Sequence, residues 1–157
     1  SEIRENLRLH GEAMQILALT VHDVTLHTLE AAKKERKEEL LQTIRMLRDK
    51  NNSILCIDIL MDFISSECSL ATIREIYGKL RELIAWGYIF SAVIAGTGQT
   101  EVHLHEFICQ LENALQADNS GVFADLWQSF IEERVNFFYK KFPLWNTSRD
   151  AVDEEKR

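Results

Sequence analysis

At 157 residues with a formal charge of −7, the chain has the size of one ordinary domain, able to bury a core without metal or disulfide support. The acidic balance and the absence of a basic stripe exclude a nucleic-acid surface, which needs clustered Lys and Arg to displace counterions. A single proline, few glycines and no alternating apolar–polar run exclude a strand-built fold and predict an all-α domain.

Leu7, Met14, Leu17, Val21 and Val24 form one helical stripe in the first segment. The basic cluster Lys33-Lys34-Glu35-Arg36-Lys37 is interrupted by Glu35 and followed by Glu38 and Glu39, which reads as a solvated, charge-stitched helix face. A second helix is predicted over about 32–50, with Leu40, Leu41, Ile44 and Leu47 as its apolar edge. Asn51-Asn52-Ser53 breaks it and offers Ser53 as the next N-cap. Residues 54–64 form a short apolar helix, and Ser69 caps a fourth carrying Leu70, Ile73, Ile76, Tyr77, Leu80 and Ile84.

From Trp86 to Ala95 only Ser91 and the Tyr88 hydroxyl are polar. A helix apolar on every side is buried all round, and this run is about half the roughly 20 residues needed to cross a bilayer. It is therefore expected to be the central helix of a globule, at about 85–96, with no membrane span. Gly96-Thr97-Gly98 ends it, and Thr100 caps a sixth helix with Val102, Phe107, Ile108, Leu111 and Leu115. After the turn Asp118-Asn119-Ser120-Gly121 come two short aromatic-rich helices, 122–131 and 135–142, stopped by Pro143. Residues 1–145 read as one domain and 146–157 as a polar, frayed tail.

Little in the sequence carries catalytic or metal chemistry. His103 and His105 are two apart, which on a helix points them about 200° from each other, so they cannot share an ion. His10, His22 and His27 are dispersed and read as surface residues. Gly96-x-Gly98 lacks the third glycine and the preceding strand of a phosphate loop. No Ser, Cys or Lys nucleophile has a recognisable base beside it, so neither enzyme nor cofactor is expected. Cys56, Cys68 and Cys109 are scattered among apolar residues and read as buried free thiols of a reducing compartment, and no secretion signal is seen. That makes use of the glycosylation spelling Asn146-Thr147-Ser148 unexpected.

The helix order and the segment Leu80-Arg81-Glu82-x-Ile84-Ala85-Trp86-Gly87-Tyr88-Ile89, with Gly96 nine positions after Gly87, resemble the first homology motif of the Bcl-2 family of apoptosis regulators. Asp118-Asn119-Ser120-Gly121-Val122 echoes the second. The resemblance implies a Bcl-2-like bundle of about seven or eight helices around the 85–96 helix. It implies a pro-survival function in which a hydrophobic groove sequesters the amphipathic homology-3 helices of pro-apoptotic proteins, in the cytoplasm and at the mitochondrial surface. By helix order the groove draws on Leu41, Ile44, Leu47, Ile57, Leu60, Met61, Ile64, Tyr77, Leu80, Trp86, Gly87, Tyr88, Ile89 and Ala92.

The departures matter as much. Tyr88 and Ala85 stand where the family has the Arg and Asn that meet the invariant Asp of the bound helix. Losing a charge-assisted hydrogen bond weakens binding by about 1.5–3 kcal/mol. Lys79 and Glu75 occupy positions that are commonly apolar in the groove, and no carboxy-terminal anchor or homology-3 segment is recognised. A kept motif core with lost flanks is similar to virus-encoded members that inhibit host cell death, some of which use their helical faces to dimerise. The alternative reading is a helical interaction or oligomerisation module without a groove, forming a homodimer or using Trp127, Phe137, Phe138 and Trp145 against a partner.

Overall fold

The computed structural model describes residues 2–50, 52–95 and 104–143, with the backbone alone for 90–95. Among these residues there are six helices: α1 (Glu2–Ala31), α2 (Lys34–Leu47), α3 (Ser53–Glu67), α4 (Ala71–Ala95), α5 (Leu104–Gln116) and α6 (Ser120–Lys141). The sequence pattern predicts eight, and two fusions account for the difference. The fourth helix and the apolar 85–96 segment are one continuous α4, and the two aromatic helices are one α6, because nothing between them breaks a helix: Glu132, Glu133 and Arg134 are good helix formers.

The central position belongs to α1, not to the 85–96 segment. α1 has 30 residues, about 45 Å of helix, and runs antiparallel between α4 and α6. His10 meets Ile84 and Thr20 meets Tyr77 on the α4 side, while His22 meets Asp125 on the α6 side. Gly11, farther toward the start of α1, abuts Phe138 and Tyr139 of α6. α3 packs on α4, and α2 pairs with α5 and also touches α3. Leu17, Val21, Ile64, Ile84 and Ile131, from four helices, are completely buried in one core. Leu7, Phe138, Tyr139 and Phe142 form a smaller cluster near the amino-terminal end of α1.

The caps lie one residue from where the pattern puts them, or do other work. Asn52, not Ser53, caps α3 by accepting from the Leu55 amide at 3.2 Å. Ser69 does not cap α4; its hydroxyl lies 2.7 Å from His27 Nε2. Asn119 caps α6 through the Val122 amide, and Asp118 takes the left-handed turn conformation at φ 52° that Asp tolerates better than most residues. α6 ends at Lys141, two residues before Pro143, as expected. The Gly96-x-Gly98 break, the Thr100 cap, Val102 and the 146–157 tail lie outside the described residues.

Candidate functional site

Glu75, Lys79, Glu82, Trp86 and Ile89 follow one another at helical spacing along the outer face of α4. The first three are charged, Lys79 and Glu82 pairing at 3.5 Å. The last two are apolar and exposed, Trp86 by 58% and Ile89 by 51%, with Tyr88 beside them at 37%. The expectation that this segment is buried all round is overturned over 85–89, where Ala85 is exposed too. A helix is enclosed only when neighbours surround it, and α4 packs against α1 and α3 on one side.

Gly87 explains why Trp86 and Tyr88 point outward. It faces α1 so closely that a Cβ there would lie 2.0 Å from His10 Cβ, an atom held directly by the α1 backbone. With Gly87 turned inward, its two neighbours, each about 100° away around the helix, flank the contact. His10 is buried, not a surface residue, and its Nδ1–H donates to the Ile84 carbonyl at 3.0 Å. A carbonyl only accepts, so Nδ1 carries the proton. Burial pushes the imidazole down to about 4 against the support of the Ile84 and Leu83 backbone, so His10 is neutral near pH 7. Its ring meets Phe138 edge-on at 5.0 Å, which ties α4, α1 and α6 together at one point.

Two turns upstream, Arg81 grips α3. Its guanidinium donates to both oxygens of Asp58, at 2.6 and 3.0 Å, and to Asp62 at 2.7 Å. Such a bidentate fork is geometrically specific and fixes how α4 sits on α3.

The residues expected to line a groove divide sharply. Ile44, Leu47, Ile57, Leu60, Met61, Ile64, Tyr77 and Leu80 are at most 5% exposed and belong to the main core, so in this conformation they face other helices rather than a ligand. Leu41 is half-buried beside a shallow, charged depression with Lys37, Leu115 and Asp118. Trp86, Gly87, Tyr88 and Ile89 come together as described, and the side chain of Ala92 lies outside the described residues. Among the aromatics of the alternative reading, Trp127 and Phe138 are core. Phe137 is half-buried between Arg134, 5.1 Å from its centroid, and Lys141 at 4.9 Å, and Trp145 lies outside the described residues.

Three polar constellations escaped the sequence reading. On α5, Cys109 Sγ lies 3.7 Å from His105 Nε2, so a thiol does have a base beside it. The i, i+4 spacing of His105 and Cys109 was the available signal. Cys109 is only half-buried, unlike Cys56 and Cys68. One turn on, the nearly buried Glu112 carboxylate accepts from Arg45 at 2.8 Å and also pairs with Arg48, closing the α2–α5 seam with charge. His22 bridges Asp23 and Asp125, both at 2.8 Å, and these carboxylates, Asp23 first, raise its pKa. Among the described residues no three His, Cys, Asp or Glu side chains are placed to hold a metal ion, and no helix is long and apolar enough to cross a membrane. His103 lies outside the described residues.

No protein-family model, curated protein or solved structure matches the chain.

Proposed function

We propose that this chain is a non-catalytic protein-interaction domain that captures an amphipathic helix on the apolar outer half of α4. In keeping with the resemblance to the Bcl-2 family, that helix is the homology-3 segment of a pro-apoptotic protein, and capture inhibits cell death by competition. The observation that carries the reading is the exposure of Trp86, Tyr88 and Ile89 within one turn of α4, beyond a stretch where Glu75, Lys79 and Glu82 flank the exposed Ile76. Large apolar and aromatic side chains gathered in the open are what hot spots are made of. An incoming helix would lay its i, i+3 and i+7 apolar residues across them. The docking surface is then an outer helix face, not a cleft between α2 and α4, because the residues of that cleft are core. Tyr88 offers the acidic residue of the ligand a neutral hydroxyl where the family offers a guanidinium, which narrows the set of partners.

Titration calorimetry of the purified protein against roughly 25-residue homology-3 peptides tests this. Submicromolar binding to at least one peptide, lost in Trp86→Ala and Ile89→Glu while far-ultraviolet dichroism is unchanged, is the expected result. Binding that survives both substitutions would remove the α4 face from the site. The second reading is self-association through the same face, favoured by the fact that it is apolar on both sides of the Gly87 contact. It predicts sedimentation that changes with dilution over the micromolar range, and a strict monomer in Ile89→Glu.

A further inference from the structure

We infer that Cys109 is a covalent modification site for soft electrophiles of the α,β-unsaturated carbonyl class, with His105 as its general base. The argument starts at the end of α2. The last carbonyls of a helix have no intrahelical partner, and that of Arg48, just past Leu47, accepts a hydrogen bond from His105 Nδ1 at 3.2 Å. Since the carbonyl only accepts, the proton sits on Nδ1, and the lone pair on Nε2 is left facing the Cys109 sulfur at 3.7 Å. Nucleophile, base and a group that orients the base are thus in line, the arrangement that activates a thiol, because the thiolate and not the thiol attacks.

On α5 His105 is exposed and Cys109 half-buried, while Cys56 and Cys68 are each only 1% exposed. Among the described residues, charged groups on the two helices of this seam are Arg45 and Arg48 of α2, both engaged by Glu112, and Glu106 and Glu112 of α5. From α6, Trp127 and Phe130 pack their rings against Phe107 of α5. In the reaction Cys109 gives its proton to His105 Nε2 as the sulfur forms an S–C bond to the β-carbon of the alkene. The carbon–carbon π bond breaks toward the α-carbon, which takes a proton back from the imidazolium. No oxidant, leaving group or further reactant is needed.

The probe is N-ethylmaleimide on the full chain, followed by peptide mass spectrometry and by rate measurements from pH 6 to 9 beside N-acetylcysteine. The expected result is a single adduct on Cys109, formed about tenfold faster than on N-acetylcysteine at pH 6.5, with the advantage shrinking as pH rises and lost in His105→Gln. Equal rates in the wild type and a folded His105→Gln protein, or labelling of Cys56 and Cys68 as fast as Cys109, would overturn the assignment. Should His105→Gln lose helicity, the wild-type profile decides. A log rate that climbs clearly less than tenfold per pH unit between pH 7 and 8 supports the pair, and one that rises tenfold per unit there, as for a simple thiol, refutes it.

Discussion

The α1–α4 crossing and the α2–α5 seam join helices by opposite means. At the first, a glycine lets two backbones come together around a buried, uncharged histidine, and the contact is decided by shape. At the second, Arg45 and Arg48 converge on Glu112 at the edge of solvent, and the contact is decided by charge. A shape-decided contact tolerates no added atom, because a packed interior cannot yield locally. A charge-decided contact can be weakened by degrees, with salt or with the loss of one partner.

The sharpest way to break the comparison is Gly87→Ala. One methyl group driven against His10 Cβ forces the two helices apart, at an expected cost of about 3 kcal/mol in urea denaturation. A loss below about 1 kcal/mol would mean that the crossing adjusts and is not decided by shape.

Next in size is pH. The folded His10 imidazole titrates near 4, the unfolded one near 6.5, so between these values the unfolded chain binds the extra proton. The stability held above pH 6.5 is therefore lost as pH falls toward 4, by about 2 kcal/mol between pH 7 and pH 5. His22 acts in the opposite sense. Its raised pKa adds stability that is full below its unfolded value and disappears as pH rises through the folded one. Urea midpoints at the two pH values in wild type and His22→Ala separate the contributions, and the acid loss should be larger in the variant.

Glu112→Gln attacks the seam. It leaves two arginines without their shared anion, but both are about one-third exposed, so water screens them and the expected loss is about 1–2 kcal/mol. The wild type should also lose part of this difference in high salt, whereas the cost of Gly87→Ala should be indifferent to salt. Smallest is Gly78→Ala on α4. A Cβ there meets nothing within 4 Å, so the change should stabilise by about 0.5–1 kcal/mol through backbone entropy alone. The two glycines of one helix then differ in sign, which thermal melts would show directly.

Much of the helical layout was legible in the residues. The 3.6-residue stripes located α1, α2 and α5, the short apolar run 54–64 located α3, and the Asp118-Asn119-Ser120-Gly121 turn marked the start of α6. Trp86, Gly87, Tyr88 and Ile89 stood out at once. What they do was harder to see, since an apolar run is written the same way whether neighbours enclose it or leave it open. His10 passed for a surface residue because its partners, Ile84 and Phe138, are 74 and 128 positions away.

By itself, then, the sequence determined the all-helical class, the apolar stripes of α1, α2 and α5, the boundary at Asn52-Ser53 before α3 and the stop at Pro143, because these depend on periodicity and local backbone chemistry. Only the tertiary structure decided that α1 occupies the centre, that the expected groove residues from Ile44 to Leu80 are core while Trp86, Tyr88 and Ile89 are exposed, and that Cys109 has a base. Each of these depends on which faces meet, and periodicity records that a face is apolar without recording what covers it.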